Sequence, residues 1–316
     1  MAKRILLDSN IWRYIVDAGA LSTLQIVARS SRHRILASPA VLFEAAHSAN
    51  KQLRASLLVA LTRPEWKRLM PEAYWEAEEL KGEVRRIRPE WLRPRPDLNF
   101  FKRVRHDWIR SKGGVWDRII QEAHLLQKSD SEMIKRARDQ AYALRNDALK
   151  WSASWESAPL SKLHAYFSSS ISGWDGTPVE PWRVDALNVF KTATLTAGHP
   201  SNDWLKEELN LALMLSQSAD LTRFWLHEAN LQRMPRHWLR WAFEFLQRFR
   251  KVNNGTPVDI QLGTYLVDAD FFMSADKTLI QLAARCRLDA PFKVAESVSV
   301  PAGDTAVGEI IRLLRS

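Results

Sequence analysis

The stretch Ile5-Leu6-Leu7-Asp8-Ser9-Asn10 decides the fold that this sequence predicts. Its apolar run ends in an acid, which is typical of a short buried parallel strand that carries a carboxylate at its C-terminal end. Ser9 or Asn10 can cap a following helix over residues 11–16. Because open α/β sheets bind ligands at the carboxyl ends of their strands, Asp8 is a candidate binding residue. Taken alone, Asp8 is better explained as part of the turn.

A second acid, Glu44, follows a second apolar run. Ile35-Leu36-Ala37 predicts another strand, and Ser38-Pro39 then begins a helix in the order of cap and proline that helix starts favour. Glu44 lies beyond the third helical position, so it cannot complete a capping box with Ser38. The helical pattern continues without a break to Leu61.

Two further acids occur late in the chain. Asp259 follows Thr256-Pro257 at the start of a predicted helix, and Asp276 comes two residues after a predicted strand that ends at Ser274. Each also has a purely structural explanation. Asp259 completes a capping box with Thr256, and Asp276 caps the helix that begins at Lys277.

In this order, the pieces resemble the PIN-domain (VapC-like) nucleases. That family has a strand ending in Asp-x-Asn, a glutamate in the helix after the second strand, an aspartate at the start of a late helix, and a strand ending in Thr/Ser-x-Asp. The matching residues here are Asp8 with Asn10, Glu44, Asp259, and Ser274 with Asp276. Gly263, one turn after Asp259, suits the close packing of helix on sheet that the family has there.

The resemblance implies an α/β fold, a PIN-like parallel sheet flanked by helices, formed by residues 1–62 and 255–316. Residues 63–254 depart from the family, whose members are commonly compact. Their patterns are a succession of helices with hardly any strand signal, so they predict a large all-α insertion domain. The insertion bears on the choice of substrate more than on the chemistry.

The chemistry follows from holding several carboxylates close together, which a fold tolerates mainly when cations neutralise them. Oxygen-only ligands point to Mg²⁺ or Mn²⁺. Asp8 and Asp259 are the predicted direct ligands. Asp276 is a ligand of a second ion or acts through water, and Glu44 is a ligand or orients the attacking water. Asn10 and Ser274 fix the carboxylate geometry.

A basic stretch lies in the predicted insertion. Residues 81–112 contain eleven lysines and arginines against four acids, which favours a polyanionic partner, as does the formal charge of +10 on the whole chain. Trp91, Phe100, Phe101 and Trp108 are interleaved there, either for stacking on bases or, as we favour, for a helical core. The predicted nucleic-acid-binding residues are Arg85, Arg86, Arg88, Arg93, Arg95, Lys102, Arg103 and Arg105.

Composition sets the remaining expectations. The single Cys286 excludes a disulfide framework and any multi-cysteine zinc site, so a reducing cytoplasm is the expected location. No uncharged apolar run approaches the roughly 18 residues of a membrane span, so no membrane partner is expected.

The resemblance implies hydrolysis of RNA, and less readily of DNA, by a Mg²⁺- or Mn²⁺-dependent endonuclease. It leaves open whether the chain is a toxin with an antitoxin or other protein partner, or an enzyme of RNA processing or defence. The alternative is a non-catalytic PIN-like scaffold that binds nucleic acid or protein through the helical insertion. Retention of all four acids favours the enzyme, because a scaffold has no need of a repulsive cluster.

Overall fold

A computed structural model of the chain describes residues 2–110, 112–129, 135, 139, 141–146, 154–251, 256–303 and 305–315. The strands of its sheet are short, and the central ones are mainly apolar. The strands are β1 (Arg4–Leu7), β2 (Arg34–Ala37), β3 (Lys67–Arg68), β4 (Phe271–Ser274) and β5 (Glu296–Ser299).

The strands form one parallel sheet in the order β3-β2-β1-β4-β5. The register places Leu6 of β1 beside Leu36 of β2 and Phe272 of β4, and all three side chains are buried. The carboxyl ends of β1 and β4 are therefore neighbours at the centre of the sheet. This confirms the predicted α/β class with a parallel sheet flanked by helices.

Helices connect the strands and continue beyond them. In chain order, the α-helices are α1 (Ser9–Asp17), α2 (Leu21–Ser30), α3 (Pro39–Ala46), α4 (Lys51–Leu61), α5 (Glu72–Ile87), α6 (Leu98–Ile109), α7 (Val115–Ser129), α8 (Ser154–Ser157), α9 (Pro181–Leu195), α10 (Asn202–Leu205), α11 (Leu211–Ser216), α12 (Ser218–Arg223), α13 (Pro235–Gln247), α14 (Thr256–Thr264), α15 (Lys277–Asp289) and α16 (Ala306–Arg315). Short 3₁₀ turns cover Pro89–Trp91, Leu160–Lys162, Leu231–Arg233 and Tyr265–Val267, and Phe224–Glu228 is a π-helical turn.

The chain divides into two compact units. The first comprises Met1–Pro71, Asp107–Ser152 and Phe243–Ser316 and contains the sheet, and the second comprises Glu72–His106 and Ala153–Ala242. Residues 63–71, 107–152 and 243–251, which the sequence assigned to the insertion, belong to the first unit. The predicted limit at 254/255 lies outside the described residues.

The second unit is helical, and ion pairs are buried within it. Glu79 on α5 pairs with Arg236 of α13 at 2.9 Å, and both side chains are 9% exposed. The fully buried Lys81 pairs with Glu78 and Glu208. Pairing of this kind offsets the cost of burying the charges.

Three predictions about local structure are wrong. The first helix begins at Ser9 rather than Ile11, because Asp8 itself is the cap and accepts a hydrogen bond from the Ser9 amide. The predicted single helix from Ser38 to Leu61 is divided into α3 and α4, since Asn50 caps a new start by accepting from two amides. The segment predicted to be all-α contains strand β3, whose two residues are too few to give a periodic signal.

Candidate active site

Asp8 directly follows the central strand β1 and is 4% exposed. Its Oδ1 accepts a hydrogen bond from the Ser9 amide at 2.6 Å. Its Oδ2 accepts from the Asn10 side chain at 2.5 Å and from the Ser274 hydroxyl at 2.6 Å. These donors favour the ionised carboxylate, yet burial outweighs them, and the Asp276 charge acts in the same direction, so the pKa of Asp8 is raised.

Asn10 and Ser274 join the ends of the two central strands. The Asn10 side chain donates to the Ser274 hydroxyl at 3.2 Å, and its oxygen accepts from the Ala275 amide at 3.0 Å. The Ser274 oxygen also accepts from the Asp276 amide at 2.9 Å. The carboxylate of Asp8 is therefore held by one residue of α1 and one of β4, which is the role predicted for Asn10 and Ser274.

Glu44 reaches the same place from α3. This helix follows β2 directly, with Ser38 as its cap and Pro39 at its first position, as predicted. Burial raises the pKa of Glu44 to about 7, the charge of Asp8 adds to the effect, and a hydrogen bond from the Ser9 side chain opposes it. Glu44 is thus near enough to Asp8 for the two charges to repel.

Asp259 lies in the first turn of α14, a helix of the same unit. Burial raises its pKa to about 8, and the charges of Asp8, Glu44 and Asp276 each add to the effect. Its Oδ2 lies 3.4 Å from the Nε2 of Gln247, which is long for a hydrogen bond. Asp259 is therefore the acid whose pKa is raised by the charges of all three others.

Asp276 is the exposed member of the set. Its Oδ1 accepts hydrogen bonds from the amides of Thr278 and Leu279 at 2.7 and 3.1 Å, so it caps α15. The structural explanation given for this residue is confirmed. Its charge nevertheless acts on both Asp8 and Asp259.

The four predicted acids are thus gathered at the carboxyl end of the sheet. Among the residues that the structure describes, no lysine or arginine forms an ion pair with any of them, and no basic group is among the main causes of the raised pKa of Asp8, Glu44 or Asp259. Like charges held near one another without a cation favour protonation. The site therefore has an unmet demand for positive charge.

The cluster is open rather than closed around one point. Within the described part of the chain, no three acidic, histidine or cysteine side chains are grouped so as to hold a metal ion directly. Charges act over longer distances than coordination bonds. Carboxylates that lie several ångströms apart therefore explain both the mutual pKa effects and the lack of a direct metal-holding group. Mg²⁺ usually keeps several waters, and the all-oxygen donor set suits such a hydrated ion.

The eight predicted nucleic-acid-binding residues lie in the second unit, from α5 to α6. Four of them already have partners there: Arg85 pairs with Glu208, Arg86 with Glu83, Arg88 with Glu228, and Arg93 donates to the carbonyl of Leu209. The three ion pairs reduce the positive charge that this part offers to a polyanion.

The other four residues, Arg95, Lys102, Arg103 and Arg105, are exposed. On α6, the half-buried Phe100 ring has Arg103 at 5.7 Å and Lys206 at 4.9 Å from its centre. Trp91 is fully buried, as expected of a core residue. The face of α6 around Phe100 therefore combines cations with a half-buried aromatic ring.

Two residues near the acids were not predicted from the sequence to belong to the site. Ser9, predicted only as a cap, donates to Glu44, and Gln247 approaches Asp259 from the end of α13. Nothing in the sequence around Gln247 singles it out, because the aromatic stripe of α13 marks only the buried face of that helix. The signal that could have found Ser9 is its place between Asp8 and Asn10.

Comparisons of the chain with models of known protein families, with curated proteins and with solved structures each gave no match. Along the described ranges, every helix is too short or too polar to cross a membrane. The site's own geometry therefore carries the argument for function.

Proposed function

We propose that this chain is a PIN-type endoribonuclease that depends on Mg²⁺ or Mn²⁺ and hydrolyses RNA phosphodiesters. One observation carries the proposal, namely four carboxylates gathered at the carboxyl end of a parallel sheet with no lysine or arginine paired to them in the described part of the chain. Open α/β sheets bind their ligands at this edge. A repulsive cluster that no group of the chain neutralises calls for an external cation.

Asp8 and Asp259 are the residues that we assign to hold the cation, with Asp276 as a ligand of a second ion or through water. A bound Mg²⁺ or Mn²⁺ supplies charge stabilisation for the phosphodiester and its leaving oxygen. Asn10 and Ser274 keep Asp8 in place with hydrogen bonds of 2.5 and 2.6 Å to the same oxygen. Their geometry is preorganised, because both donors are themselves hydrogen-bonded.

Glu44 is suited to handle a proton. In the metal-free protein its pKa is raised to about 7, so near neutral pH it exists there in both ionisation states. A general base works best when its pKa lies near the working pH. We therefore assign Glu44 to orient the attacking water and accept its proton, with the Ser9 side chain holding the carboxylate.

RNA as substrate comes from the family resemblance, and the second unit supports a polyanionic partner in general. The exposed Lys102, Arg103 and Arg105 on α6 fit phosphate contacts, which attract any nucleic acid without reading its sequence. An antitoxin or other protein partner stays a prediction.

The test is cleavage of structured and single-stranded RNA by the purified chain with Mg²⁺, with Mn²⁺ and with a chelator. We expect cleavage only with a cation, and we expect Asp8→Asn to reduce it by about 10³-fold or more, the equivalent of the several kcal/mol that metal-ion catalysis contributes. Asp270→Asn is the matched control, since Asp270 lies at the opposite end of the sheet.

Asp270→Asn is expected to leave the cleavage rate of folded protein unchanged. Tight RNA binding without cleavage under either ion would contradict the proposal and support the scaffold. Equal losses in the two variants would show that carboxylate removal acts through folding.

A further inference from the structure

Gln247, the last residue of α13, is a buried amide beside the acids. The residue is 7% exposed, and its Nε2 lies 3.4 Å from the Oδ2 of Asp259. Its Oε1 is buried and has no hydrogen-bond partner within the described part of the chain. Buried side-chain oxygens are nearly always hydrogen-bonded in folded proteins, so an unpaired one indicates a missing donor.

The position of Gln247 is fixed by a second contact one turn away. Phe243 lies four residues before Gln247 on α13, and Gly263 lies four residues after Asp259 on α14. A Cβ atom on Gly263 would fall 2.6 Å from the Phe243 ring, which means that only glycine allows this approach. The two helices therefore meet at Phe243 with Gly263 and at Gln247 with Asp259, and the amide is held next to the carboxylate.

An apolar side chain would satisfy packing at this place without leaving a polar atom unpaired. A glutamine is useful only if both ends of its amide find partners, since Nε2 is a donor and Oε1 an acceptor. The acids offer acceptors to Nε2, but a carboxylate offers nothing to Oε1. A water bound to a divalent cation is a strong proton donor, and its arrival would supply the partner that Oε1 lacks.

We infer that Gln247 is a positioning residue of the cation site, an inference that rests on the proposed function. Its Nε2 orients the Asp259 carboxylate, and its Oε1 accepts a hydrogen bond from a water of the hydrated cation. Hydrogen-bonding partners of metal ligands and of metal-bound water tune the affinity of a site. The segment that the sequence assigned to the insertion thus contributes directly to the site.

The experiment measures Mn²⁺ binding to the full chain by calorimetry, without substrate. Gln247→Leu, which keeps the size and removes both polar atoms, is expected to weaken the Kd for Mn²⁺ by about 10- to 100-fold. The control is Gln25→Leu, because the Gln25 amide lies at the surface, where its Nε2 donates a hydrogen bond to Glu65.

Urea unfolding in chelator separates this role from a structural one. We expect the metal-free midpoint of Gln247→Leu to match or exceed that of the wild type, because the substitution removes an unpaired oxygen. If this variant does not fold, Gln247→Asn, which withdraws the amide by one methylene, takes its place with the same expected weakening.

Two results would overturn the inference. A folded Gln247→Leu with the Kd of the wild type would show that the amide is not part of the cation site, while the proposed function stands. A wild-type chain that binds no Mn²⁺ at millimolar concentration would contradict the proposed function itself.

Discussion

At the two ends of the parallel sheet, the pKa values of the acids are shifted in opposite directions. At the amino end, Asp270 accepts hydrogen bonds from the Arg4 side chain and from Lys293, the latter at 2.6 Å. These hydrogen bonds, first of all the one from Arg4, hold the pKa of Asp270 well below its usual range. At the carboxyl end, burial and mutual repulsion raise the pKa of Asp259 to about 8 and that of Glu44 to about 7.

The difference is informative because the chain is rich in cations. Its 46 lysines and arginines exceed its 36 acids, and within the first unit one acid at the amino end has two basic partners. Four acids at the carboxyl end have none among the described residues. A structural cluster would gain stability from one nearby arginine, so the arrangement favours a site kept for an outside cation.

Removing one charge at each end of the sheet tests this difference most directly. At pH 9 in chelator, Asp259→Asn should raise the free energy of unfolding by about 1 kcal/mol, since it removes a repelled buried charge. Asp270→Asn should lower it by about 1–2 kcal/mol, a figure reduced because Arg4 is partly and Lys293 largely exposed. Urea unfolding measures both. Destabilisation of equal size in the two variants would mean that the ends are alike.

Gly263→Ala tests the close contact of α14 with α13 that positions Asp259 in the cluster. The added methyl group meets the buried Phe243 ring at 2.6 Å, and overpacking of this kind costs about 1–3 kcal/mol. We expect the loss to be smaller in a Phe243→Leu background, which a double-mutant cycle by urea unfolding would measure. Additive effects would show that Gly263 serves another purpose. Gly308→Ala is the control, because a Cβ there meets nothing within 4 Å.

The pH dependence of stability should also have opposite signs at the two ends. Between about pH 4 and 8, Asp259 and Glu44 bind more protons in the folded than in the unfolded chain, so the stability that they contribute is lost as pH rises. The pKa of Asp270 is lowered, so its contribution is present above about pH 4 and is lost as pH falls. Metal-free protein should lose on the order of 1 kcal/mol between pH 5 and 8.

Urea unfolding at the two pH values in chelator checks this effect, and Asp259→Asn should flatten the profile. The same series with Mn²⁺ should show a stabilisation that grows with pH, since a cation binds the ionised carboxylates. A profile that Asp259→Asn leaves unchanged would contradict the raised pKa of Asp259.

The sequence predicted the parallel sheet and the meeting of the four acids because both depend on local signals. Apolar runs that end in an acid and a helix cap, such as Ile5 to Asp8 and Phe271 to Asp276, define a strand, its end and its direction. Parallel strands in one sheet then bring their carboxyl ends to the same edge. The chain distance between Glu44 and Asp259 does not matter to this argument.

The parts that could not be predicted depend on distant contacts. The strand Lys67–Arg68 exists only because its backbone pairs with β2. Gln247 approaches Asp259 because the side chain of Phe243 fits over Gly263, a match between two helices that no periodic pattern reveals. The paired arginines at 85 and 88 were predicted from charge alone, whereas their acidic partners Glu208 and Glu228 lie more than 120 residues away along the chain.

The smallest expected effect is a difference in stability between variants of two buried serine hydroxyls on neighbouring strands. The Oγ of Ser274 on β4 donates to Asp8 at 2.6 Å, while the Oγ of Ser297 on β5 is buried with no hydrogen-bond partner in the described structure. Ser274→Ala should cost about 1 kcal/mol, because it leaves a buried carboxylate with one donor fewer. Ser297→Ala should change stability by no more than about 0.5 kcal/mol, since it removes an unsatisfied group. Urea unfolding at pH 7 in chelator distinguishes the two, and equal costs would mean that the hydrogen bond to Asp8 contributes nothing to holding the carboxyl end of the sheet together.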